Sequence, residues 1–510
     1  ASADDTSDNL SFAGSVALAS SLAGAASGAE ATTWSASNIS SRITNSDLAI
    51  GGNLSVEADA AADITRAQAI GAAVAVASGG TALSIAASVV SNKVNNTINA
   101  AIEQSSTDDQ IDAAGNVTVA ARQSKLNIDD VVAVTASVAS GGTPLAGGGI
   151  DIDNTVNNTI TADVSGPEDN PSTSTIVSGG LIEVTAEEKT TVDVDASNTT
   201  LASGFGLGLG ISLLDLNYDS KVSSTISDAN LDTADLTVSA NSDFDIDRHR
   251  TVAVAASSGL AASGSHSKTT FTPSIDATVD TSTIALTGSA VLTSTSELQV
   301  ETEAFGGALG AGAVGAMLAE IQTGNGTGTF DTKTVLGNDN VITGGSVFLS
   351  AEADHQLYSE SVAASAGALG IAGSQSNLLS TFGVQVELGT DNDLDVEAFQ
   401  INSKLAQDFD SRADGYSVGG FAGAGAGVTN SIESESKVQI GEDNSINATD
   451  IVIYALNQAE KEHFDINVVA GTASLANVSA IDSKTDLKNF GSSVLIEQGT
   501  SLTVSGSITS

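Results

Sequence analysis

The sequence predicts an all-β repeat protein, an elongated β-solenoid or β-helix-like body. Three observations lead there. Charge-free stretches recur at a period of roughly 50 to 65 residues, the mark of a stacked array. Short runs such as Val117-Thr-Val119, Ile182-Glu-Val184 and Leu236-Thr-Val238 alternate apolar and polar residues with period two. The apolar material is mostly Ala, Val and Ile, with aromatics at only 4%, which suits thin stacked layers better than a thick globular core.

The charge-free stretches are 12–29, 69–92, 131–150, 198–214, 251–267, 305–319, 361–386, 415–432 and 466–481. After a lead-in over 1–11, they divide the chain into nine repeats: 12–68, 69–130, 131–197, 198–250, 251–304, 305–360, 361–414, 415–465 and 466–510. Alternation within the stretches, as in Ala73-Val-Ala-Val-Ala77 and Val252-Ala-Val-Ala255, reads as strand. Val74 and Val76 are expected to point inward, with Val117, Val119, Ile182, Val184, Leu236 and Val238. Turn chemistry separates the runs: Ser78-Gly79-Gly80, Ser140-Gly141-Gly142, and the triplets Gly337-x-Asp-Asn340, Gly389-x-Asp-Asn392 and Gly441-x-Asp-Asn444. A second phased motif appears as Val94-Asn-Asn-Thr97-Ile98, Val156-Asn-Asn-Thr159-Ile160, Val222-Ser-Ser-Thr225-Ile226 and Ile275-Asp-Ala-Thr278-Val279. Repeat three carries an insertion from Ser165 to Thr175, read as a solvent loop. Stacked long antiparallel hairpins are the alternative architecture.

Charge narrows the function. Acidic residues number 62 against 17 basic, a formal charge of −45. Nucleic acid and anionic membranes need clustered Lys and Arg, so both are excluded as main partners. Without Cys there is no disulfide or thiol chemistry. The start, Ala1-Ser-Ala-Asp-Asp5, is not a signal peptide, and an internal fragment of a longer chain is expected. The stretch 361–386 is long enough to span a bilayer but is crowded with Gly and Ser, so no membrane insertion is expected. A membrane β-barrel is a rival reading, but four Tyr and one Trp are too few for its aromatic girdles.

Nothing in the sequence points to catalysis, and no catalytic or cofactor-binding residue is expected. His249, His266, His355 and His463 share no ligand spacing or repeat phase and read as surface or strand histidines. No nucleophile elbow, zinc-protease, P-loop or dinucleotide motif is present. A polysaccharide-binding or polysaccharide-cleaving β-helix is the enzymatic or lectin-like alternative, and it needs aromatic platforms that this composition lacks. The D-x-D runs give one sharper expectation. Asp151-Ile-Asp153, Asp193-Val-Asp195, Asp243-Phe-Asp245-Ile-Asp247 and Asp408-Phe-Asp410 each put their carboxylates on one face of a strand. Stacked between neighbouring repeats, Asp193, Asp195, Asp243, Asp245 and Asp247 would form an oxygen-rich row suited to calcium. A solvated acidic face is the plainer reading of the same residues.

The Gly/Ala/Val stretches, the segments Asn92-Lys-Val-Asn-Asn-Thr-Ile-Asn-Ala100 and Asn154-Thr-Val-Asn-Asn-Thr-Ile-Thr-Ala162, and strands of the type Gly115-Asn-Val-Thr-Val-Ala120 carry a family likeness. In these, nearly the whole chain resembles the giant repetitive surface proteins of bacteria, the filamentous-haemagglutinin-like adhesins and the leukotoxin-type autotransporter passengers. The resemblance implies export, a bacterial cell-surface or extracellular location, and a β-helical stalk in a fibre or adhesin. It also implies partners among neighbouring repeats, copies of the same protein, or surface and matrix polysaccharide. Because the coils of such stalks are often shorter than these repeats, each repeat is expected to form two or three coils.

Overall fold

A computed structural model describes residues 1–510 apart from 107–108, 168–174, 327, 462 and 510. The chain is all-β, from Ser2–Ala19 to Ser501–Thr509, with no helix among the described residues. Most of the inserted segment 165–175 lies outside the described residues, so its reading as a solvent loop stays an expectation.

The ladders are parallel, and each residue pairs with one a whole repeat away. Val117 pairs with Ile182 and Ser346 with Ala398; residues paired in the ladders stand 52 to 65 positions apart. A repeat therefore makes one wide rung, not two or three coils. The reason is strand length: strands run as long as the 40 residues of Asp393–Ile432, so one circuit uses the whole repeat. Nor do antiparallel hairpins form among the described residues, because the two long legs of a repeat face each other as separate layers and their backbone ladders run only to neighbouring rungs.

The fifth repeat shows the circuit. An outgoing leg, the later part of Asn230–Ser257, reaches a Ser-Gly tip. A returning leg follows, Leu260–Phe271, then a short base strand, Ser274–Asp280. The closing strand Thr283–Leu286 then leads into the next outgoing leg, Ser289–Leu309. Base strands form one nine-stranded sheet, and the remaining strands form a 21-stranded sheet.

Each rung has two zones. Near the base, outgoing strands face base strands across a core of branched residues. Val119, Val184, Val238 and Leu292 stack in one column, opposite Ile98, Ile160, Val222 and Ile275. Val117, Val119, Ile182, Val184, Leu236 and Val238 are all fully buried there, as the alternation implied. Tyr218 closes on Phe244 and Phe271 at ring-centroid distances of 4.3 and 4.8 Å.

Beyond this body the two legs continue as a thin two-layer blade, which contains the charge-free stretches. Its interior is mainly Ala, Ser and Gly: Ala73, Ala75, Ala82, Ala86, Ala139 and Ala202 form one cluster. Val74 and Val76 point outward, contrary to expectation, and Ala73 and Ala75 point in. Larger side chains such as Thr135, Asn198 and Met317 are buried at some rungs, but at others the layers leave no room for a side chain. A Cβ added at Gly71 would lie 2.5 Å from the Ala87 carbonyl oxygen, and one at Gly415 would lie 2.4 Å from that of Gly425. Seryl hydroxyls bridge the gap: Ser84 donates to the Ala73 carbonyl at 2.7 Å, and Ser137 to that of Ser84 at 2.9 Å.

Candidate functional site

Asp193, Asp195, Asp243, Asp245, Asp247 and Asp408 lie on the outward face of outgoing legs, whereas Asp151 and Asp153 lie on a returning leg and Asp410 is buried. Asp243 and Asp245 share a face, with Phe244 and Ile246 buried between and beyond them. Asp243 stacks on Glu297, which stacks on Asp354; Asp245 stacks on Gln299, which stacks on Gln356. Together these six side chains line an open depression of about 250 Å³. Burial, then the charges of Asp247 and Asp243, raise the Asp245 pKa. At one edge Lys189 meets the Asp243 carboxylate at 2.8 Å.

Asp193 and Asp195 do not join this row. A register shift after Val192 sets Asp193 beside Arg248 and Asp195 beside Arg250 in the next rung. The Arg248 guanidinium lies 4.0 Å from the Asp195 carboxylate. Burial raises the Asp193 pKa, against the pull of Arg248. Asp247 is the residue that this shift skips, and it is exposed. Among the described residues, no three or more His, Cys, Asp or Glu converge as a metal-holding group. Sequence reasoning missed Glu297, Gln299, Asp354 and Gln356, although the repeat period places them directly beside Asp243 and Asp245.

The interior holds polar groups of a different kind. The Gly-x-Asp-Asn triplets are corners: Asp339, Asp391 and Asp443 adopt φ of 54°, 59° and 55°, in the left-handed region that Asp and Asn tolerate. The following Asn is buried and points inward; the amide oxygens of Asn392 and Asn444 accept from the Asn one rung earlier, as Asn392 does from Asn340 at 2.9 Å, and that of Asn340 accepts the Ser282 N–H. Asn158, from the second motif, donates to Glu188 at 2.7 Å. That carboxyl also receives Ser220 and Tyr218 hydroxyls, and burial raises its pKa despite them. His249 and His355 are fully buried in strands, and burial lowers both to about 3. His266 is half-exposed beside Glu320 at 3.4 Å, and His463 stacks on Tyr358.

The blade shows an apolar surface that the sequence reading overlooked. Along the outer side of the returning legs, parallel register aligns Leu83, Leu145, Leu207, Leu260, Leu369 and Phe421 in one column, 39% to 65% exposed. Gly312 breaks the column at one rung. One step toward the body lies a second column with Ile85, Leu209, Val314 and Ile371. Such contiguous apolar surface marks an interaction site more often than solvent exposure does.

Compared with family models, curated proteins and solved structures, the chain has no match.

Proposed function

We propose that this chain is a structural and adhesive module of a large bacterial surface protein, a β-solenoid rod displaying the same weak contacts on every rung. The observation that carries the reading is the parallel pairing that links rung to rung, with only local register shifts. Every rung offers its neighbours the same edges, and every outer column recurs at the rung spacing. Such a body lengthens by about 4.8 Å per repeat while keeping its cross-section. Side chains in one column then act together, so modest single contacts sum into strong attachment. The acidic outer face keeps the rod soluble outside the cell, and its partners are copies of itself or surface and matrix polysaccharide.

A series of chains differing only in repeat number tests this. Small-angle scattering should show length growing by about 4.8 Å per repeat at constant cross-section. Retention on polysaccharide-coated or cell-coated surfaces should rise steeply with repeat number. A cross-section that grows with repeat number would remove the rod, and retention independent of repeat number would remove the adhesive role.

A further inference from the structure

We propose that the returning face of the blade pairs with the same face of a second copy, joining two rods side by side and in parallel. The pairing names a partner for the rod proposed above and rests on that reading for its use.

The face is self-complementary in relief. The leucine column nearest the tip is a ridge. Two columns toward the body, the aligned residues are Ala87, Gly149, Gly264, Ala316 and Gly373, with Ile211 the one large side chain among them. This is a trough, and it is not needed by the protein's own packing: a Cβ at Gly149 or Gly373 would meet nothing within 4 Å. A two-fold axis along the stacking direction, over the middle column, lays each ridge into the partner's trough. An isologous contact of this kind closes at two copies, and it extends rung by rung along rods of any length.

Charge favours the same arrangement. None of the three columns carries a charged residue on any rung, although the chain carries −45 in all. The two-fold axis points the blades in opposite directions, so the acidic bodies lie at opposite edges of the pair. The area suffices: three columns about 7 Å apart, over seven rungs about 4.8 Å apart, give roughly 700 Å² per copy, within the standard interface range.

Sedimentation and small-angle scattering of the whole chain in about 0.5 M NaCl, where repulsion is screened, test the pairing. The parent should have twice the chain mass and a wider cross-section at unchanged length. The double variant Leu207→Lys/Leu260→Lys changes only exposed residues and should weaken pairing on the order of 100-fold by burying unpaired charge, with an unchanged circular dichroism spectrum. Leu309→Lys, on the opposite face of the blade, should leave pairing intact. A monomeric parent, equal loss in Leu309→Lys, or a monomer that floats with phosphatidylcholine vesicles would each overturn the proposal. The repeat-number series run in the double variant measures the rod without pairing, so the two readings fail separately.

Discussion

Asn340 and Asn392 stand 52 residues apart in sequence and are joined side chain to side chain, the Asn340 amide donating to the Asn392 amide oxygen at 2.9 Å. The same oxygen accepts the Asn340 backbone N–H at 3.0 Å, and Asn392 repeats both bonds to Asn444. One buried oxygen thus serves two donors of the preceding rung. Asn392→Ala strands both in a dry corner and should cost about 1–3 kcal/mol, read as a lower urea midpoint at unchanged slope. Parent-like stability would mean that water enters the corner and replaces the amide.

The blade makes a sharper steric prediction. Gly71→Ala puts a methyl carbon where the Ala87 carbonyl oxygen lies 2.5 Å away and the Ser88 hydroxyl 3.1 Å away. The layers must part locally, costing about 1–3 kcal/mol. Gly373→Ala, on the open outer side, should change stability by less than about 0.5 kcal/mol. Thermal melts of the two variants compare the faces directly, and equal melting temperatures would refute the two-layer packing.

Strand content and the alternation at Val117, Val119, Leu236 and Val238 were legible in the sequence because one face there is polar and the other apolar. The alternation at Val74 and Val76 was misread for a physical reason. In the blade both faces are uncharged, so polarity no longer marks the inside. Size does, and it selects the small side chains of Ala73 and Ala75 for the narrow gap between the legs. The rung size was also present, in the even spacing of Asn340, Asn392 and Asn444, but each Asn bonding to the next across a whole repeat requires a wide coil that the likeness to shorter coils argued against. The acidic row was half legible. Period two put Asp243 and Asp245 on one face, whereas the register shift after Val192 that sets Asp193 beside Arg248 has no sequence signal.

Stability should respond to acid in two opposed ways. Burial raises Asp331 from 3.8 to about 7, so between those values the folded chain holds a proton that the unfolded chain has lost. The stabilisation from this group is complete below about 4 and is lost as pH rises toward 7. His249 and His355 act in the other direction. Burial lowers them from 6.5 to about 3, so the unfolded chain binds protons that the folded chain refuses, and stability falls as pH drops from 6.5 toward 3. Asp331→Asn keeps an acceptor for Asn325 but not for the Gly383 N–H; it should lower stability at every pH and flatten the decline between pH 4 and 7. His249→Gln should flatten the loss on the acid side. Melting temperatures at several pH values check both, and an unchanged profile in either variant would show that its group titrates alike in the two states.

The final prediction concerns cations at the acidic face. Asp243, Glu297 and Asp354 stand on successive rungs, so their carboxylates repel at the rung spacing. Two kinds of ion relieve that. A calcium ion held by converging oxygens would stabilise by mass action at low concentration, whereas screening acts on any open row and ignores ion identity. The depression is open, Lys189 already offsets Asp243, and Arg248 and Arg250 stand beside Asp193 and Asp195. The expected outcome is screening: a chelator leaves the melting temperature unchanged, and NaCl raises it as far as CaCl2 at equal ionic strength. Glu297→Gln should give the same gain without salt by removing the middle charge. A calcium-specific rise, abolished by Glu297→Gln, would instead place an ion between Asp243 and Asp354.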